Sequence, residues 1–179
     1  MNTYSKKKLI MDAEAMSRTL KRIAYEIAER HKGTEDLCII GIRRRGVTLG
    51  KRIRHAIERN EGVLVPFGEL DITSYRDDIE LAQDYKDETR IDFNITGRKI
   101  ILVDDVLYTG RTVRAALDAL AHRGRPAMVQ LAVLVDRGHR ELPFKADYVG
   151  KSLPTAKSEI VQVETVETDG CDRVVIAQE

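Results

Sequence analysis

Apolar positions fall into helical register soon after the start of the chain. Met16, Leu20, Ile23, Ala24 and Ile27 line one side of a helix that Asp12 can cap, that runs to about His31 and that Gly33 ends. The pattern then tightens to LCIIGI (37–42), a short apolar run bounded by charge, as expected of a strand buried on both faces. VTLGKRIRHAIERN (47–60) returns to helical period. VLVPFGELDI (63–72) predicts a second strand that Pro66 and Gly68 bend or keep near a sheet edge. From 74 to 98 the periodicity fails. That segment is polar and dense in both charges, which predicts a lid or a partly disordered loop, with room for a strand pair of its own.

After it, KIILVDD predicts a third strand, and Val113, Ala116, Leu117, Leu120 and Ala121 a helix closed by Gly124 and Pro126. AMVQLAVLVD (127–136) predicts a fourth strand and DYVGKSLPT a short fifth. IVQVETVE and DRVVIAQE flank Asp169-Gly170 as a terminal hairpin-like pair. Strands alternating with helices imply an α/β fold, with a mostly parallel sheet covered on both faces. Ligands bind such sheets beyond the carboxyl ends of the strands. GIRRRG, VDDVLYTG and VDRGHRE all follow strands at that end, so three polar turns are expected to crowd one cleft.

Composition narrows the setting. The 179 residues suit one domain spanning 1–179, with an apolar fraction of 42% and no Trp. A net charge of +1 excludes a global pull toward nucleic acid or membrane, so any basic face must be local. Cys38 and Cys171 form no C-x-x-C pair and are expected to be plain thiols. The apolar run near the N-terminus is too short for a secretory leader, and nothing later approaches transmembrane length. A cytoplasmic protein without membrane contact is the expectation. The four histidines show no metal-ligand spacing.

Two loops carry candidate chemistry. GIRRRGVT (41–48) nearly fits the P-loop pattern, but Val47 stands where the phosphate lysine belongs, which excludes a nucleoside triphosphatase. Its flanking glycines let backbone approach a ligand, and its arginines suit a polyanion such as pyrophosphate. ILVDDVLYTGRTVRAALDAL (101–120) sets two acids beside a helix start that favours an anion. Both are satisfied by a ribose phosphate. The turn amides and Thr hydroxyls cradle the phosphate, while Asp104 and Asp105 accept from ribose hydroxyls and can hold water around Mg²⁺.

The string ILVDDVLYTGRTVRAA resembles the phosphoribosyl pyrophosphate (PRPP) signature of type I phosphoribosyltransferases. LDITSYRDD (70–78), QLAVLVDRGHRELPFKADYVGK (130–151) and TLKRIAYEI (19–27) resemble the pyrimidine-operon attenuation regulators that double as uracil phosphoribosyltransferases, over essentially the whole chain. The resemblance implies a type I phosphoribosyltransferase fold with a small hood built from 137–179 and a mobile lid over 74–98. It also implies conversion of uracil and PRPP to UMP and pyrophosphate with Mg²⁺, and UMP- or UTP-responsive binding of the pyrimidine operon leader RNA. Asp104 and Asp105 would hold the ribose. Val106 and the loop Leu107, Tyr108, Thr109, Gly110, Arg111 and Thr112 would bind around the 5′-phosphate. Arg45, with Arg44 where relatives typically carry Thr, would take pyrophosphate. Arg137 and main chain near Ile160 and Val161 would face uracil. A homodimer or higher assembly is implied as well.

Arg18, Arg22 and Tyr25 lie opposite the apolar stripe of the first helix, beside Lys21. A solvated helix face explains that pattern by itself. The resemblance makes these four residues, with His139, Arg140, Lys145 and Lys151, the RNA surface; relatives often carry Thr and His at Lys21 and Tyr25. The alternative is a phosphoribosyltransferase for another base, such as a purine, without RNA function.

Overall fold

The computed structural model describes residues 8–178. Residues 1–7, part of the stretch examined for a leader, and Glu179 lie outside the described residues. The elements run β1 (Lys8–Met11), α1 (Ala13–His31), β2 (Leu37–Ile42), α2 (Arg45–Glu61), β3 (Phe67–Leu70), β4 (Lys99–Leu107), α3 (Arg111–Ala121), β5 (Met128–Asp136), β6 (Tyr148–Ser152), β7 (Glu159–Glu164), α4 (Val166–Asp169) and β8 (Arg173–Gln178). A five-stranded sheet has the order β3-β2-β4-β5-β6 with every neighbouring pair parallel, and a separate antiparallel sheet has the order β1-β8-β7.

Two apolar layers sandwich the larger sheet. On one side α1 and α2 bury Met16, Leu20, Ile23, Ile27, Leu49 and Ile53 against Ile39, Ile101 and Val103, with Val163 and Val174 of the smaller sheet joining them. On the other, Val113, Ala116 and Leu120 of α3 meet Ile40, Ile100, Leu102 and Val133. Full burial of a side chain such as Ile27 contributes about 1.5–3 kcal/mol, which is why the apolar stripes, more than helix propensity, determine where these helices lie. Asp12 caps α1 by accepting from the Ala15 amide at 2.8 Å.

The structure departs from the sequence expectations at five places. Lys32 (φ 53°), ahead of Gly33, is the left-handed cap of α1. The strand containing KIILVDD continues through Leu107, because Val106 and Leu107 still pair with Val135 and Asp136 of β5. The segment 74–98 forms no strand pair; one 3-10 turn at Thr73–Tyr75 begins it, a bridge from Arg90 ties it back to Glu69, and the Gly97 amide donates to the Arg125 carbonyl near its far end. β7 and β8 pair as expected but are joined through α4, which ends at Gly170 (φ 77°). β1 is only four residues long, too short to show periodicity, and its pairing with β8 supplies the order its own sequence lacks.

Candidate active site and basic face

The cleft lies where β4 outruns β2. Their pairing stops at Val103 opposite Gly41, and there the chain leaves β2 for α2. Gly41 and Gly46 make this possible by backbone packing. A Cβ on Gly46 would stand 2.4 Å from the Val103 carbonyl oxygen, and one on Gly41 would stand 2.6 Å from the Gly46 oxygen. These glycines, expected to let backbone approach a ligand, let the first turn of α2 lie directly on β4.

Asp104 and Asp105 stand at this step. Asp104 is 9% exposed and accepts from the Asp105 amide at 2.9 Å. Asp105 accepts from the Val106 amide at 2.8 Å. Burial, followed by the charge of Asp105, pushes the Asp104 carboxyl well above the usual carboxylate range. The pair therefore presents one buried, proton-favouring carboxyl beside a half-buried one. A cavity of about 560 Å³ extends from them to Arg43, Arg44, Arg45 and Thr112.

The turn Tyr108–Gly110 feeds α3, whose first turn carries no acidic residue and no side-chain cap. Apart from the Arg111 amide, which donates to the Thr109 hydroxyl at 3.3 Å, the amides of that turn are left for an external acceptor. Gly110 is left-handed at φ 94°, and a Cβ there would lie 3.0 Å from the Phe144 ring. The stretch after β5 buttresses this turn. The amides of Glu141 and Leu142 donate to the Thr109 carbonyl at 2.9 and 3.0 Å. Arg140 donates to the Tyr108 and Phe144 carbonyls at 2.7 and 2.9 Å and to Asp136 at 2.6 Å. Arg137 is 6% exposed, stacks 4.0 Å above the Tyr108 ring, and donates to Thr155 Oγ1 and the Ala156 carbonyl at 3.1 Å.

Across the cleft the Arg43–Arg44 peptide is cis. Arg43 pairs with Glu69 and Glu88, and Arg45 with Asp169. A smaller cavity of about 310 Å³ joins Arg45 and Asp105 to Val161 and Gln162 of β7. Ile160 lies next to them in the same strand.

Three residues with no assigned role in the sequence reading border or brace the site. Arg76 lines the cleft and is held by Asp78 through contacts of 2.7 and 2.5 Å. Asp71 accepts from Thr73, Tyr85 and the Glu88 amide, so it ties the start and the middle of the polar segment to the end of β3. Burial alone would raise its carboxyl, but those donors outweigh burial and hold it below the usual range. Asp77 reaches across to Arg111 at 3.2 Å and to Arg114 at 3.8 Å. The only signal for the three was their place in LDITSYRDD; long-range pairing has no local period.

Arg18, Lys21, Arg22 and Tyr25 share one side of α1. Arg18 pairs with Glu14 in the open, and Tyr25 is 51% exposed. Arg22 donates to the Val149 and Gly150 carbonyls at 3.2 and 2.7 Å, which brings β6 and Lys151 beside this face. Lys21 and Tyr25 border a groove of about 890 Å³ whose other wall carries Lys51, Arg52, His55 and Arg59 of α2. His139 and Arg140 sit elsewhere: His139 contacts the Thr155 carbonyl at 2.5 Å, and Arg140 is enclosed behind the Tyr108 turn. Lys145 lies in the same connection to β6. Among the described residues no helix is long and apolar enough to cross a membrane, and no group of three or more His, Cys, Asp or Glu could hold a metal by itself.

This geometry has known counterparts. Residues 8–168 match the phosphoribosyl transferase domain model. The "Bifunctional protein PyrR" of Caldicellulosiruptor bescii is 60% identical over 96% of this chain and 95% of its own length. The "Pyrimidine operon regulatory protein" of Lactococcus lactis is 54% identical over 97% of this chain and 98% of its own. Among solved structures, a hypoxanthine phosphoribosyltransferase of Trypanosoma cruzi superposes with a TM-score of 0.76 at 22% identity, covering 98% of this chain and 96% of that one. The chain belongs to the phosphoribosyltransferase family and, within it, to the bifunctional PyrR proteins.

Proposed function

We propose that this protein transfers the phosphoribosyl group of PRPP to uracil, releasing pyrophosphate and forming UMP, and that it also acts as a UMP- or UTP-responsive regulator that binds pyrimidine operon leader RNA. One observation carries the enzymatic reading. A single cleft presents the Asp104–Asp105 pair, an uncapped helix start and an arginine loop on separate walls. PRPP has a chemical group for each: ribose hydroxyls, a 5′-phosphate and a pyrophosphate. The likeness to purine enzymes at 22% identity supports the fold and carries no preference for a base.

In this reading Asp105 accepts from the ribose hydroxyls, and the amides of 109–112 with the Thr109 and Thr112 hydroxyls hold the 5′-phosphate. Arg44 and Arg45 hold pyrophosphate, while Arg137 and main chain around Val161 border the uracil. Positive charge builds on the ribose as the C1′–pyrophosphate bond loosens, so positioning and charge stabilisation do most of the work and no covalent nucleophile is needed. The donor set fits Mg²⁺ carried mainly by ligand oxygens and water, because Asp104 and Asp105 offer too few protein ligands for a closed cage. When bound, Mg²⁺ neutralises charge on the pyrophosphate. The segment 74–98 serves as a lid that limits PRPP hydrolysis, and 137–179 form the hood.

The RNA reading rests on α1 and the adjoining end of β6. Coupling between nucleotide and RNA must be reciprocal: if UMP tightens RNA binding, RNA tightens UMP binding by the same factor. A cytoplasmic homodimer or larger assembly completes the proposal. The test offers PRPP and Mg²⁺ with uracil, orotate, hypoxanthine and guanine in parallel. UMP from uracil alone is expected; product only from a purine overturns the base assignment.

A further inference from the structure

The arginine loop and the C-terminal hairpin meet at one contact that the chemistry above leaves unused. Arg45, the first residue of α2, offers Nη2 to both carboxylate oxygens of Asp169, at 2.9 and 3.2 Å. Its Nε is buried and has no acceptor among the described residues. The same side chain borders both the main cleft and the smaller cavity beneath β7. One edge of the guanidinium is therefore clamped at Nη2, while Nη1, which has no partner among the described residues, remains for a ligand. An arginine has five donors, so a clamp at Nη2 need not compete with an anion.

Asp169 is itself held firmly. Its Oδ2 accepts from the Thr165 amide at 2.8 Å. Two turns further along α2, Arg52 engages Glu167 at 2.6 Å and Asp172 at 2.8 Å. The α4 turn is thus seated on α2 by two arginines and three acids, and it cannot shift without disturbing these ion pairs. We propose that Asp169 is the positioning residue that presents Arg45 to pyrophosphate, so that the hairpin bordering the base side also sets the leaving-group side. The inference rests on the reading of the cleft as a PRPP site. An arginine already fixed in place loses little side-chain freedom when the anion arrives, which is the benefit of preorganisation.

The test compares Asp169→Asn with Asp169→Glu. Asn retains an acceptor for the Thr165 amide but loses the charge that holds Arg45. The measurements are KM for PRPP, KM for uracil, kcat, calorimetric affinity for inorganic pyrophosphate, and melting temperature. For Asp169→Asn, KM for PRPP and the pyrophosphate Kd are expected to rise about tenfold. KM for uracil and the melting temperature should stay near wild type, and Asp169→Glu should recover part of the loss. Tighter pyrophosphate binding in Asp169→Asn would mean that Asp169 sequesters Arg45, and it overturns the proposal. Unchanged kinetics, or a fall in melting temperature with uniform loss of activity, overturns it too. A wild-type protein that neither binds pyrophosphate nor turns over uracil with PRPP overturns the reading of the cleft and this inference with it. An active wild type with an indifferent Asp169→Asn overturns this inference alone.

Discussion

The wall of the cleft after β5 and the outer face of α1 both carry arginines, but they hold them in different ways. Arg137 and Arg140 lie against carbonyls, a ring and a carboxylate, with Arg137 only 6% exposed. On α1, by contrast, the Arg18 side chain is 69% exposed and pairs with Glu14 one turn away. An exposed pair of that kind contributes about 0.3–0.5 kcal/mol and is screened by salt. Buried, multiply bonded arginines shape a turn; open ones remain free to meet a partner. The comparison separates a preorganised site from an adaptable surface. Arg22 falls between the two, since its guanidinium is engaged by Glu26, Val149 and Gly150 while half-exposed.

The largest expected effect tests the preorganised side. Asp105→Asn should lower uracil turnover by roughly a hundredfold or more, because the ribose hydroxyls would lose a charged, two-oxygen acceptor, with little change in melting temperature. Unchanged steady-state kinetics would remove Asp105 from the ribose. Next comes Gly110→Ala. An alanine held left-handed costs about 1–2 kcal/mol, and its Cβ meets Phe144 at 3.0 Å. A rise of about tenfold in KM for PRPP is expected, since 1.4 kcal/mol corresponds to a tenfold change; a substrate titration checks it.

The adaptable side should respond more weakly. Lys21→Ala is a cleaner probe than Arg22→Ala, which would also release β6. Losing one phosphate contact should reduce the magnitude of the salt slope of leader RNA binding by about 0.7 and spare uracil turnover. Equal loss of both activities would erase the distinction drawn here.

The smallest effect concerns stability. Folding raises the Asp104 carboxyl above its ordinary value of 3.8 through burial and the charge of Asp105. The folded protein therefore holds this proton more tightly than the unfolded chain, and stability falls as pH climbs through that range. Asp104→Asn should melt higher than wild type at pH 7, by about 2–4 °C for each kcal/mol released, with the gain vanishing near the acid end. Matched melting curves across pH would show Asp104 to be no burden on the fold.

Much of this molecule was legible in local patterns. The stripe Met16, Leu20, Ile23, Ala24, Ile27 is buried as its period required, and LCIIGI is buried along its whole length. Strand–helix alternation implied the parallel sheet, and the acid–turn–helix string carried the resemblance to the family now shown by the comparisons. Harder to read were features whose partners lie far away in sequence. β1 gains its pairing from β8, more than 160 residues later. Gly46 is required by the Val103 carbonyl, and nothing in GIRRRG reveals that constraint.

By itself the sequence determined which faces must be buried, where the sheet's ligand end lies and which chemical groups stand beside one another in the turn after β4. Those properties follow from periods of two and 3.6 residues and from neighbours within one turn. Only the tertiary structure decided which arginine braces a turn and which one faces a cleft. It put Arg140 behind Tyr108, Arg45 against Asp169 and Arg22 onto β6. The physical reason is that a guanidinium takes its role from whichever acceptors the folded backbone brings within reach, and no spacing in the chain specifies them.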